Sequence, residues 1–168
     1  KMHAEAGNEQ SLEECLVEKL CRMNYKVVTA ESCTGGLVSG TIINVPGASD
    51  VLGESYITYS NEAKHRLLGV AWETLDTVGA VSPETAAQMA EGAAEAARAD
   101  VGISTTGIAG PGGGTAEKPV GLVYIGCCVH GKTEVKECRF QGNRMENRMH
   151  TVEEALKLAI KMLPDRER

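Results

Sequence analysis

The chain has 168 residues with 17 Lys plus Arg against 23 Asp plus Glu, a formal net charge of −6. An acidic chain with 4% aromatics and no basic run is a poor nucleic-acid binder, because phosphate neutralisation dominates that affinity. A small anionic ligand in a locally positive pocket stays open.

The length fits one domain with a three-layer core, read over residues 10–165; residues 1–9, which open on Lys1, read as an added or flexible segment. The six cysteines form no C-x-x-C pair and the four histidines no H-x-x-x-H pattern. The expectation is reduced cysteines used as small core residues, with no metal site. No signal-peptide pattern or apolar run long enough to cross a bilayer is present, so a cytoplasmic protein without a membrane partner is expected.

In chain order, Leu12, Cys15, Leu16, Leu20 and Met23 recur at helical spacing behind Ser11, a candidate cap. A strand is predicted over 25–30 and a helix over 33–44, closed by Val45-Pro46-Gly47-Ala48. A second strand falls within Val51 to Tyr59, and Ser60 or Asn61 caps a short helix ending near Gly69. Trp72 to Val81 reads as irregular. Ser82-Pro83 opens a helix carrying Ala86, Ala90, Ala93 and Ala97, a small-residue face that permits close packing. Asp100 to Thr106 reads as a strand feeding a glycine-rich loop over 107–117. Val120 to Val129 and Thr133 to Phe140 read as a hairpin turning at His130-Gly131, and Met149, Val152, Leu156, Ile160 and Leu163 as a closing helix. These elements predict an α/β protein: a three-layer α/β/α sandwich on a mixed, about five-stranded sheet.

The turn Thr29-Ala30-Glu31-Ser32-Cys33-Thr34-Gly35-Gly36 places hydroxyls at or just before a helix N-terminus, where free N–H groups and the dipole suit an anion or a developing oxyanion. The same pattern also serves a capped helix with glycines for tight packing. Ser32 is the leading nucleophile and needs a base. G-x-S-x-G fails at Ala30 and Thr34, and S-x-x-K fails at Gly35, so the base comes from elsewhere in the chain. Lys64 is a candidate, since a buried lysine loses its proton readily; His65 is its rival, about 100 degrees around the same helix. The loop from Gly107 through Gly110, Gly112 and Gly113 can bring N–H groups to phosphate oxygens, with Thr105, Thr106 and Thr115 as hydroxyl donors; a surface loop has the same composition. Arg144 and Arg148 either add charge at the mouth or face solvent.

Four blocks in order carry a resemblance: T-A-E-S-C-T-G-G at Thr29–Gly36, T-Y-S-N-E-A-K at Thr58–Lys64, T-G-I-A-G-P-G-G-G at Thr106–Gly114 and K-P-V-G at Lys118–Gly121. From about Leu12 to Leu163 the chain resembles the CinA C-terminal domain family, whose domain also occurs alone as a nicotinamide-nucleotide amidase. The resemblance implies deamidation of nicotinamide mononucleotide to nicotinic acid mononucleotide and ammonia, with no cofactor. Lys64 falls on the lysine of the S-N-x-x-K block, and Tyr59 joins Ser32 and Lys64 as third expected catalytic residue. Glu31, Cys33, Thr34, Gly35, Thr106, Gly107, Gly110, Gly112, Gly113 and Arg144 are the expected substrate-binding residues. A non-catalytic nucleotide-binding or regulatory module tied to competence or DNA damage is the alternative. A homodimer is expected from general frequencies, with Val51, Leu52 and Trp72 as candidate interface positions.

Overall fold

The structure is a computed structural model and describes residues 9–165; the reading of residues 1–9 lies, but for Glu9, outside them. Helix α1 spans Leu12–Met23, with Ser11 Oγ accepting the Glu14 N–H at 3.2 Å and Asn24 ending it in the left-handed conformation. Strand β1 (Val27–Glu31) is buried along its length. Helix α2 covers only Leu37–Ile42, shorter at both ends than predicted. Its start is displaced because Gly35 and Gly36 hold φ of 58° and 105°, which no right-handed helix can pass through.

Strand β2 (Tyr56–Ile57) precedes α3 (Asn61–Leu68), capped by Ser60 and closed by Gly69. Trp72–Thr77 forms a short helix, α4, where irregular chain was expected. Its six residues bury only Leu75, so it carries no apolar period that a sequence reading could detect. Helix α5 (Pro83–Ala97) begins with Ser82 as cap and Pro83 in the first turn. Strand β3 (Val101–Gly107) is followed, after the glycine loop, by the hairpin β4 (Leu122–Val129) and β5 (Lys132–Arg139). Helix α6 spans Arg144–Met162, starting earlier than its apolar pattern suggests because Asn143 and Glu146 form a reciprocal capping box.

The five strands lie in the order β2-β1-β3-β4-β5. β1 is parallel to β2 and β3, while β4 runs antiparallel to both of its neighbours, β3 and β5. Helices α1, α2 and α6 pack together over one face around Leu16, Val38, Ile103, Ile125 and Leu156. Helices α3 and α5 cover the other around Val28, Leu68, Met89 and Ala93. The result is a three-layer α/β/α sandwich on a mixed sheet. The small-residue face of α5 does bring backbones together: a Cβ on Gly102 would sit 2.2 Å from Ala90 O, and one on Gly92 only 1.8 Å from Leu68 O. Val51, taken as an interface candidate, is 2% exposed and belongs to the core. Leu52 bridges Val27 and is half-buried, whereas Trp72 is exposed. Among the described residues no helix is long and apolar enough to cross a membrane.

Since β1, β2 and β3 run the same way, their C-terminal ends meet at one edge of the sheet. β4 starts and β5 ends at that edge, which brings the N-terminus of α6 there too. Open α/β sheets place ligand sites at such an edge, outside the carboxyl ends of parallel strands.

Candidate active site

Ser32 follows β1 directly and is held by its neighbours: its N–H donates to Thr105 O at 3.0 Å, and Glu31 O accepts the Thr58 N–H at 2.9 Å. Lys64, on the first turns of α3, is 1% exposed. Its Nζ lies 3.0 Å from Ser32 Oγ, 2.9 Å from Thr58 O and 3.3 Å from Tyr59 O. Burial lowers the lysine from 10.5 to about 8, with a smaller opposing effect from Cys33. A neutral amine has two N–H groups and one lone pair. The two carbonyls can only accept, so they take the N–H groups and leave the lone pair for the Ser32 hydroxyl proton.

The pair opens into a cleft of about 290 Å³, at the lower end of small-ligand sites. Ser32, Cys33, Tyr59, Lys64, Thr106, Gly107, Gly110, Gly112, Gly113 and Arg144 line it, together with Asn61, Ala80, Val81, Ile108 and Ala109. A hollow of about 320 Å³ beside the end of α1 contains no such nucleophile and base; its Lys19 is paired with Asp165. Cys33 is no rival nucleophile, because burial pushes its thiol up to about 11 and keeps it protonated at neutral pH. His65 points elsewhere: its Nδ1 lies 2.8 Å from Val70 O and its ring stacks on Trp72 at 4.7 Å.

Several residues expected to bind substrate are engaged inside the protein instead. Glu31 is 1% exposed and does not line the cleft. Its carboxylate accepts from Thr34 Oγ1 at 2.6 Å, Thr29 Oγ1 at 2.9 Å, and the N–H groups of Gly36, Val38 and Ser39 at 3.2, 2.8 and 3.1 Å. The anion that occupies the start of α2 is therefore the protein's own, and it fixes the turn that carries Ser32. Thr34 is buried and Gly35 is exposed, and neither lines the cleft. Glu31→Gln puts an amide donor among donors. It is expected to lose about 2–4 kcal/mol of stability, read from urea midpoints.

The threonine hydroxyls also have internal partners. Thr105 Oγ1 pairs with Thr34 Oγ1 at 2.8 Å, Thr106 Oγ1 donates to Ala80 O at 2.8 Å, and Thr115 Oγ1 accepts the Lys118 N–H at 2.9 Å. Tyr59 approaches the lysine through its carbonyl; its hydroxyl is 3.4 Å from Arg144 Nη2. Arg144 Nη1 donates to Gly110 O at 2.8 Å, and Arg148 Nε to Cys33 O at 2.9 Å, so both arginines hold loop backbone. The N–H groups of Cys33, Thr34 and Gly110 meet no backbone acceptor among the described residues. Among those residues, no group of three His, Cys, Asp or Glu side chains is placed to hold a metal.

Comparison with known proteins gives a consistent result. A competence/damage inducible protein, CihA, from Agrobacterium tumefaciens superposes with a TM-score of 0.86 at 44% identity, covering 89% of this chain and 94% of that one. The competence damage-inducible protein A from Klebsiella pneumoniae gives 0.87 at 32% identity, over 90% and 94% of the two chains. A chain carried under the name competence-damage inducible protein from Clostridium novyi (strain NT) is 54% identical over 151 residues, 90% of this chain but 36% of its own length. The chain thus spans about a third of the curated relatives that it matches. The family model described as the CinA C-terminal domain matches residues 9–163, and the chain belongs to that family.

Proposed function

We propose that this domain is a serine amidohydrolase that deamidates nicotinamide mononucleotide to nicotinic acid mononucleotide and ammonia. The observation that carries this reading is Lys64 Nζ at 3.0 Å from Ser32 Oγ, the amine buried and its other hydrogens directed at two carbonyls. Ser32 Oγ attacks the carboxamide carbon while the Lys64 amine takes the hydroxyl proton. The tetrahedral oxyanion is held by backbone N–H groups lining the cleft. Collapse expels ammonia, which takes its proton from Lys64. Water then attacks the acyl-enzyme, giving its proton to Lys64, and the acid and Ser32 hydroxyl are released. The chemistry calls for no cofactor. The substrate is taken over from the family resemblance; a homodimer, expected from general frequencies, and a cytoplasmic setting are also part of the proposal.

The glycine loop is assigned to the phosphate in this reading. A Cβ on Gly112 meets nothing within 4 Å, so Gly112→Val fits the fold while crowding the cleft. It is expected to raise KM for the mononucleotide about tenfold with a smaller effect on kcat, the loss of one charge-assisted contact. Nicotinamide riboside, lacking the phosphate, is expected to be a poor substrate of the parent. Equal use of riboside and mononucleotide in steady-state assays removes the phosphate cradle.

A second reading is a nucleotide-binding or regulatory module without turnover. The names of the relatives favour it, since they speak of competence and damage and of no reaction. Ammonia release from nicotinamide mononucleotide by the purified domain separates the two readings. Binding of the nucleotide with no ammonia released supports the module.

A further inference from the structure

Arg144, Asn147 and Arg148 stand at i, i+3 and i+4 on the first turns of α6 and so share one side of the helix. Each donates to backbone carbonyls of the loops that follow β1 and β3. The two arginines hold Gly110 O, Cys33 O and Thr34 O, the last at 3.3 Å. Asn147 is the buried member at 1% exposure; its Nδ2 donates to Ala109 O at 3.0 Å and its Oδ1 accepts the Gly142 N–H at 2.9 Å. The two partners fix which end of the amide is which. The helix does not need Asn147 as a cap, because Asn143 and Glu146 already form one.

Ala109 and Gly110 line the cleft, whereas Asn147 does not. Asn147 therefore draws the Ala109 carbonyl from behind the loop. The Ala109–Gly110 peptide is trans, so its N–H runs antiparallel to that carbonyl and faces away from Asn147. The Gly110 N–H has no backbone acceptor among the described residues. No side chain can take its place there: Gly110 has φ of 87°, and a Cβ would lie 2.4 Å from Val120 Cγ1.

We infer that Asn147 is a positioning residue whose hydrogen bond to Ala109 O aims the Gly110 N–H into the cleft as a donor to the oxyanion formed on Ser32 attack. The inference rests on the hydrolase reading. It also separates the roles of two neighbouring carbonyls, since Arg144 holds the next one along, Gly110 O, from the cleft side.

The test compares the full chain with Asn147→Asp, which keeps the shape and the acceptor for Gly142 N–H but removes the donor to Ala109. An oxyanion donor acts in the transition state, so kcat for nicotinamide mononucleotide is expected to fall about a hundredfold with KM within about threefold. A purely structural role predicts instead a lower melting temperature and a kcat in proportion to the folded fraction. A kcat within about threefold of the parent overturns the inference. Asn147→Ala, which brings no charge, is the second variant if Asn147→Asp does not fold, and carries the same expectation. The amide resonance of Gly110 in ¹⁵N-labelled protein supplies a readout that needs no turnover. If the parent releases no ammonia, the hydrolase reading falls, and with it the oxyanion role. The Gly110 resonance then decides the positioning by itself: displaced in the variant while amides of α1 stay, it supports the orientation, and unmoved it overturns it.

Discussion

Ser32→Ala is expected to lower kcat for nicotinamide mononucleotide by about a thousandfold or more, the usual loss when a covalent step is deleted. The hydroxyl has one side-chain partner, Lys64 Nζ, and the backbone bonds that seat the turn do not involve it. Its removal therefore leaves the Ser32 N–H on Thr105 and the Glu31 carboxylate on α2 in place. Thermal melting within a few degrees of the parent is expected alongside the lost turnover. KM for the residual reaction should change little, because binding groups in the cleft are untouched. Near-native turnover in this variant would replace the acyl-enzyme by direct attack of water.

The second large effect belongs to Lys64. With its amine at about 8, the charged form dominates below that pH and cannot accept the serine proton. The rate is therefore expected to rise with pH through a limb near 8 and to level off above it. Lys64→Met keeps the buried stem without the amine, so it should remove both the limb and most of the activity. Lys64→Arg should not rescue, since guanidinium stays protonated. His65→Ala should leave the limb intact, because His65 is bonded to Val70 O and stacked on Trp72, away from Ser32. If His65→Ala erases the limb and Lys64→Met keeps it, the roles are reversed.

The same lowered value has a consequence for stability. Lys64 ordinarily titrates at 10.5 and in the fold at about 8, so between those values the unfolded chain binds the extra proton. Stability rises with pH across that window, and below it the buried charge costs about 3 kcal/mol. Lys64→Met is accordingly expected to melt no lower than the parent at pH 7. The difference should shrink as pH rises through the window, which thermal melts at pH 7, 9 and 11 would follow.

The sequence by itself determined those elements whose signals are local. The hairpin turned where His130 and Gly131 stand, because two β-branched runs flank a two-residue connection. Ser11, Ser60 and Ser82 cap helices since each precedes an apolar period and presents a hydroxyl to its own first turn. Such features need only a few neighbouring residues, so they can be read along the chain. α4 escaped because one buried leucine makes no period.

Only the tertiary structure decided which groups meet. Ser32 and Lys64 are 32 positions apart and come together because β1 and β2 are parallel neighbours, which brings the loop after each to the same edge. Four matching blocks named both residues, yet nothing in their spacing placed one against the other. Glu31 looked like a ligand for substrate, and the fold gives it five donors of its own. The reason is alternation along β1: one step separates Ser32, which enters the cleft, from Glu31, which turns under α2. Asn147 carried no legible role, and Arg148 was read as charge at the mouth or a solvent-facing group, because their partners are main-chain carbonyls of distant loops. Every residue has a carbonyl, so side-chain identity along the sequence cannot say which one a distant donor will reach; the packing of α6 on the sheet does.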